Sequence, residues 1–169
     1  MNLYKKWASR EYSLGKRLLG LIPAAVLFLF LIPYILLVLG PRLDTRLGLP
    51  GFYFGWINIL ACVLLAIVGG YYALSSIGQQ LFDAGGTPIP VMATQKLLVR
   101  GVFKQCRNPM TFGTISMYLG LAIFVGSISS TLLVMIFLLL LVLYLKKIEE
   151  HELELRFGES YKTYKANTP

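Results

Sequence analysis

Charge disappears from this chain in three long stretches. Leu18 to Gly40 carries none over 23 residues, Leu47 to Phe82 none over 36, and Asn108 to Leu145 none over 38. The first is long enough for one membrane-crossing helix. Pro23 and Pro33 fall inside it as candidate kinks, whose freed carbonyls neighbouring helices can satisfy. Pro41–Arg46 follows as a short charged loop. In the second stretch Pro50-Gly51 starts a new element, and the pattern predicts one helix from about Phe52 to Ile77. Gly78-Gln79-Gln80 reads as its polar exit, and Gly69, Gly70 and Ala73 as a small-residue patch for close helix packing. The third stretch would measure about 57 Å as a single helix, against a bilayer core of about 30 Å, so it fits two crossings. Gly126-Ser127 and Ser129-Ser130 mark the turn, which predicts helices near Thr111–Val125 and Ile128–Leu145. Between the second and third stretches, Asp83–Pro90 is turn-rich and predicted non-helical.

The expected fold is therefore an all-α integral membrane protein. It has four transmembrane helices, the last two a helical hairpin, with an N-terminal interfacial helix or arm and a C-terminal cytoplasmic helix. One membrane domain covers 1–169: the arm at 1–17, the first two spans within 18–82, and at 83–169 a binding loop, the hairpin and the C-terminal helix. Composition agrees, since 56% of the residues are hydrophobic and the mean hydropathy is +0.67, too apolar for an ordinary soluble domain.

The net charge of +8 flanks the apolar spans and forms no stripe with interleaved aromatics, which argues against a nucleic-acid partner. The arm holds five basic residues, the first loop two, the long loop four and the tail five, while the Ser-rich tip holds none. The positive-inside rule then puts both termini and the long loop in the cytoplasm. Cys62 and Cys106 make no disulfide framework, and no secretory signal is evident.

Two polar boxes bracket the third stretch, Gly101–Pro109 and Lys146–Glu152. A hairpin brings them to one membrane face, where Arg107, Asn108, Glu149 and Glu150 share a site. Arg107 offers a planar fork of donors for a carboxylate or phosphate. Asn108 offers donor and acceptor, and Pro109 can start a helix. A glutamate there can accept from ribose hydroxyls or an ammonium group. The plainer alternative is a Lys146–Glu150 pair on a solvated helix end. His151 has no second ligand pair, so no metal is expected. No Gly-rich phosphate loop, Ser-His-Asp pattern or dinucleotide fingerprint is present.

Several motifs resemble the integral-membrane methyltransferases, the group that includes isoprenylcysteine carboxyl methyltransferase and the phospholipid N-methyltransferases. They are Gly85-Gly86-Thr87-Pro88, Leu98-Val99-x-Gly101-Val102-Phe103 and Arg107-Asn108-Pro109-Met110-Thr111-x-Gly113. Glu149-Glu150, Leu153, Phe157-Gly158 and Tyr161-x-x-Tyr164 complete the set. The resemblance covers about residues 83–166. It implies S-adenosylmethionine as cofactor and a lipophilic acceptor in the membrane, either a prenylcysteine-like carboxylate or a phospholipid-like amine. By position it implies cofactor contacts at Gln95, Leu98, Val99, Gly101, Phe103, Asn108, Pro109, Met110, Thr111 and Glu149. Arg107 and Glu150 are the candidates for the catalytic role. The sequence departs from the family at Phe103 and Thr111, often Tyr, and at Asn108, often His. Leu145 stands where the prenylcysteine enzymes carry a substrate-contacting Arg. The competing readings are an NADPH-dependent membrane reductase of the sterol-reductase type and a non-catalytic membrane protein with a degenerate site.

Overall fold

A computed structural model describes residues 11–88 and 92–169. Most of the expected N-terminal arm, and the end of the turn-rich segment, lie outside the described residues. Among them there is no β-strand. Five helices follow one another: α1 Leu14–Leu47, α2 Trp56–Asp83, α3 Pro109–Val125, α4 Ile128–Phe157 and α5 Glu159–Asn167. A short 3-10 turn, Gly101–Lys104, interrupts the long loop. Helices α1, α2 and α4 are long and apolar enough to cross a membrane; α3, with 17 residues, is shorter. Large apolar side chains such as Phe30, Ile67 and Leu74 are exposed, as lipid-facing positions are. The protein is an integral membrane protein.

The chain divides into two compact units. One holds Ala25–Tyr71 and Thr111–Leu143. Its core is Leu36, Ile115, Tyr118, Ala122 and Val134, with Phe28, Ile32 and Phe137 packed against it. Tyr118 and Phe137 bring α3 and α4 together, with ring centroids 6.1 Å apart. Gly69 lets α2 approach α3 closely: a Cβ there would strike the Gly113 carbonyl and Met117. Gly70, grouped with Gly69 in the sequence reading, faces open space.

The prolines of α1 explain its irregular backbone. Two widened π turns, Leu27–Leu31 and Ile35–Leu39, carry rungs that step back five residues, from Ile32 N–H to Leu27 O and from Gly40 N–H to Ile35 O. The next rung of each would start at Pro33 or Pro41, which have no N–H. Phe28 O and Leu36 O are thereby freed. Tyr118 donates its hydroxyl to Phe28 O at 2.8 Å, and Ser130 donates its hydroxyl to Leu36 O at 2.7 Å. Gly40 leaves the room Ser130 needs, because a Cβ there would overlap its side chain.

Pro41–Arg46, expected as a loop, is thus helical. The widened turn absorbs the missing donor, and α1 ends at Gly48 in the left-handed conformation (φ +65°). The extra turn matters, because it carries Asp44 to a buried position. There Asp44 accepts from Ser127 Oγ at 2.5 Å and from Ser129 N at 2.8 Å, and so caps the first turn of α4.

Helix α2 begins at Trp56 rather than near Phe52. Asn58 holds the preceding residues as a turn. Its Oδ1 accepts from Phe54 N at 2.8 Å, and its Nδ2 donates to Phe52 O at 3.2 Å and to Ile123 O at 2.5 Å. At the other end the helix does not stop at Gly78 but adds a π turn, Gln79–Asp83.

Removing a hydroxyl that serves a freed carbonyl leaves a buried acceptor unpaired. Tyr118→Phe and Ser130→Ala should each destabilise the folded protein by about 1 kcal/mol, read as a lower melting temperature in detergent. Exposed Tyr53→Phe serves as the neutral comparison.

Candidate functional site

The other unit holds the residues up to Ala24, Tyr72–Met110 and Tyr144–Pro169. Its scaffold is a pinned loop. Gln95 N donates to Ala84 O at 2.6 Å and Thr87 N to Met92 O at 2.8 Å. Gly86 permits this closure, since a side chain there would run into the Thr94 backbone. Arg17 fastens the loop's base by donating from Nη1 to Leu81 O at 2.7 Å and from Nε to Tyr12 O at 2.7 Å. Arg156 binds the Thr94 carbonyl and also pairs with Glu152 at 3.2 Å.

The 3-10 turn begins at Gly101, whose φ of +58° suits glycine. Buried Val102 anchors it, and its carbonyl accepts from Gln105 N and Cys106 N. Tyr164 of α5 donates its hydroxyl to Phe103 O at 2.5 Å, and Arg107 N donates to Pro169 O at 2.9 Å. Tyr164 and Tyr161 are buried beside each other. Burial pushes the ionisation of both hydroxyls upward, so both stay neutral. The two aromatic positions of the Tyr-x-x-Tyr motif are therefore the packing that fixes the turn.

On this scaffold the two polar boxes meet. Arg107 Nη1 lies 2.7 Å from Glu150 Oε1. Lys165 Nζ lies 2.7 Å from Glu150 Oε2 and 3.0 Å from Glu154 Oε1. Both oxygens of Glu150 are thus ion-paired, and these hydrogen bonds hold the Lys165 ammonium above its ordinary pKa. Asn108 Nδ2 donates to Glu149 Oε1 at 3.4 Å. Among the described residues no lysine or arginine pairs with Glu149.

The uncharged part of α4 ends at Leu145, and Glu149 lies beyond it. Burial, with the negative charges of Glu152 and Glu150, raises the Glu149 pKa to about 7; the Asn108 hydrogen bond acts the other way. One glutamate is therefore a neutralised strut, and its neighbour has no ion pair among the described residues. A π turn, Leu145–Glu149, separates these roles. Its extra residue rotates the helix face, so Glu150 pairs with Arg107 and Lys165 and not with Lys146, the partner of the plainer sequence reading.

The remaining expected contacts are distributed along the same unit. Gln95 sits in the pinned loop, Leu98 is buried, Val99 is exposed, and Gly101 and Phe103 lie in the 3-10 turn. Pro109, fully buried, opens α3 and is followed by Met110. Thr111 belongs to the other unit. Leu145 opens the π turn of α4. Sequence reading missed Lys165, Arg17 and Gln79. Lys165 directly follows the Tyr-x-x-Tyr motif, which was its one available signal.

Two buried polar atoms have no hydrogen-bond partner among the described residues, Gln79 Oε1 and Arg107 Nε. With Glu149, the same unit offers one acceptor, one donor and one carboxylate without a lysine or arginine partner among the described residues. That set fits a ligand bearing an ammonium group, a carboxylate and a hydroxyl or amino donor.

No curated protein and no solved structure matches the chain. The sequence profile of the phospholipid methyltransferase family matches residues 56–160. The match runs from the first residue of α2 through the loop, α3 and α4 into α5, and so contains both polar boxes. It covers well over half of the chain, and the chain belongs to the phospholipid methyltransferase family.

Proposed function

We propose that the protein transfers a methyl group from S-adenosylmethionine to a lipophilic amine of phospholipid type. In this reading it crosses the membrane four times, with both termini and the site facing the cytoplasm. The observation that carries it is the Glu149–Asn108 contact beside the saturated Glu150–Arg107–Lys165 cluster. It leaves one half-buried carboxylate without an ion pair among the described residues, in a chain of a methyl-transferring family.

The cofactor would supply an electrophilic methyl group. Glu149 would hold its ammonium group and Arg107 Nε its carboxylate. Gln95, Leu98, Val99, Gly101, Phe103, Pro109 and Met110 would line the rest. Asn108 orients Glu149, and Glu150, held between two cations, keeps Arg107 and the start of α3 in register. The acceptor would attack as the neutral amine, its ammonium proton having passed to water, and the sulfonium's methyl–sulfur bond would break to leave the thioether; alignment of the two reactants and exclusion of bulk water then supply the catalysis. An amine acceptor is favoured over a prenylcysteine-like carboxylate. Leu145 offers such a carboxylate no charge, and the nearby Arg107 is engaged with Glu150.

Four spans agree with the lengths and the charges. Helix α3 measures about 26 Å, enough for a slightly thinned bilayer core. An even number of spans keeps the basic tail on the same side as the basic N-terminal segment.

Purified protein in nanodiscs should bind S-adenosylmethionine by calorimetry, and Glu149→Gln should weaken binding at least about tenfold. Binding of NADPH in its place would sink the reading. The pH dependence has a definite sign. Ionised Glu149 is the binding form and its pKa is about 7, so affinity should fall about tenfold per pH unit below 7 and level off above it. Glu149→Gln should flatten that profile; a flat profile in the unaltered protein contradicts the assignment. For topology, an impermeant maleimide should label Cys106 only from the cytoplasmic side. Labelling from the opposite side would reverse the orientation.

A further inference from the structure

Gln79 opens the last, widened turn of α2, and its side chain lies against Gly101. A Cβ at position 101 would stand 2.8 Å from Gln79 Oε1 and 2.9 Å from its Cδ. The positive φ of residue 101 suits glycine, and the Gln79 amide lies over it. Gln79 Oε1 is buried and accepts no hydrogen bond among the described residues. Buried acceptors in that state are uncommon in folded proteins, because the lost hydration is not replaced.

Two polar side chains of α2 donate to other acceptors. Gln80 Nε2 donates to Ser76 Oγ at 2.9 Å, and the Tyr72 hydroxyl donates to Gln105 Oε1 at 2.6 Å. The backbone around Gln79 is fixed as well. Gln79 O accepts from Ala84 N at 3.1 Å, and Arg17 holds the same turn through Leu81 O. The amide is thus a preset acceptor on a rigid turn, in contact with the glycine that starts the 101–104 segment. Widened helical turns of this kind recur at functional sites.

We propose that Gln79 is a binding residue of this site, whose side-chain carbonyl accepts a hydrogen bond from a hydroxyl or amino group of the adenosyl ligand held by the Gly101–Met110 segment. The inference rests on the cofactor reading above and adds to it a residue from α2, outside both polar boxes. Gly101 gains a role too: its missing side chain lets the Gln79 amide reach across the turn.

The test uses the full chain in nanodiscs, S-adenosylhomocysteine as the calorimetric probe, and two substitutions. Gln79→Met keeps the length of the side chain and removes the acceptor. Gln79→Glu keeps an accepting oxygen. Gln79→Met should bind about tenfold more weakly, the effect of one hydrogen bond lost at a buried acceptor. Its melting temperature without probe should stay level or rise, because an unpaired buried carbonyl is gone. Gln79→Glu should bind within about threefold of the unaltered protein. Full affinity in Gln79→Met overturns the inference and leaves the cofactor reading standing. Equal loss in both variants also overturns it, by showing that shape and not the acceptor matters. Failure of the unaltered protein to bind the probe at all removes the cofactor reading itself.

Discussion

The contact on which the site depends is the ion pair of Arg107 with Glu150. These residues are 43 positions apart, and an uncharged stretch separates them. Half-buried charges need partners, because each loses hydration that only a close counter-ion restores. Arg107 alone would not neutralise both carboxylate oxygens of Glu150. Lys165 takes the second, which draws α5 into the same cluster. Once Glu150 is satisfied in this way, Glu149 is left next to it with Asn108 as a weak donor and two negative neighbours. Its raised pKa is a consequence of that arrangement. Two adjacent glutamates in sequence thereby acquire opposite electrostatic states, one clamped and one responsive.

A second constraint shapes the lipid-facing part of the chain. Backbone groups inside a bilayer must be paired within the protein. The prolines at 33 and 41 break the ladder of α1, and the break is repaired by side chains from α3 and α4. Tyr118 and Ser130 bind the freed carbonyls, and Asp44 caps α4 in return. The prolines are thus docking points. Each leaves a carbonyl turned toward a neighbour, and a hydroxyl of that neighbour fixes the register of the helices in that unit.

How much of this was legible in the sequence follows from the range of each interaction. Uncharged runs reveal helical stretches because the bilayer imposes length and composition locally. The ends near Val125 and Ile128 were readable, since Gly126 and Ser127 carry their own turn chemistry. Pro41–Arg46 read as a loop because a proline beside three charges usually ends a helix; the partner that allows continuation, Ser130, lies far along the chain. The start of α2 was misplaced because Asn58 bonds to Ile123, a contact no local pattern shows. In the site, residue types and the methyltransferase resemblance marked Arg107, Asn108 and both glutamates. They could not say which glutamate would be neutralised. That depends on the π turn at Leu145–Glu149 and on Lys165, and neither has a local signature. Gln79 was read only as a polar helix exit, because the atoms over it belong to Gly101.

The central claim is that this arrangement of residues moves a methyl group onto a membrane lipid. The most direct measurement supplies S-adenosylmethionine labelled at the methyl group to purified protein in vesicles containing a phospholipid with a primary amine headgroup, and follows the label. The account predicts label in the headgroup amine, and none when the vesicles contain only a phospholipid whose headgroup has no amine. Absence of label from lipid in both vesicles, with protein that is folded and binds the cofactor, would contradict it.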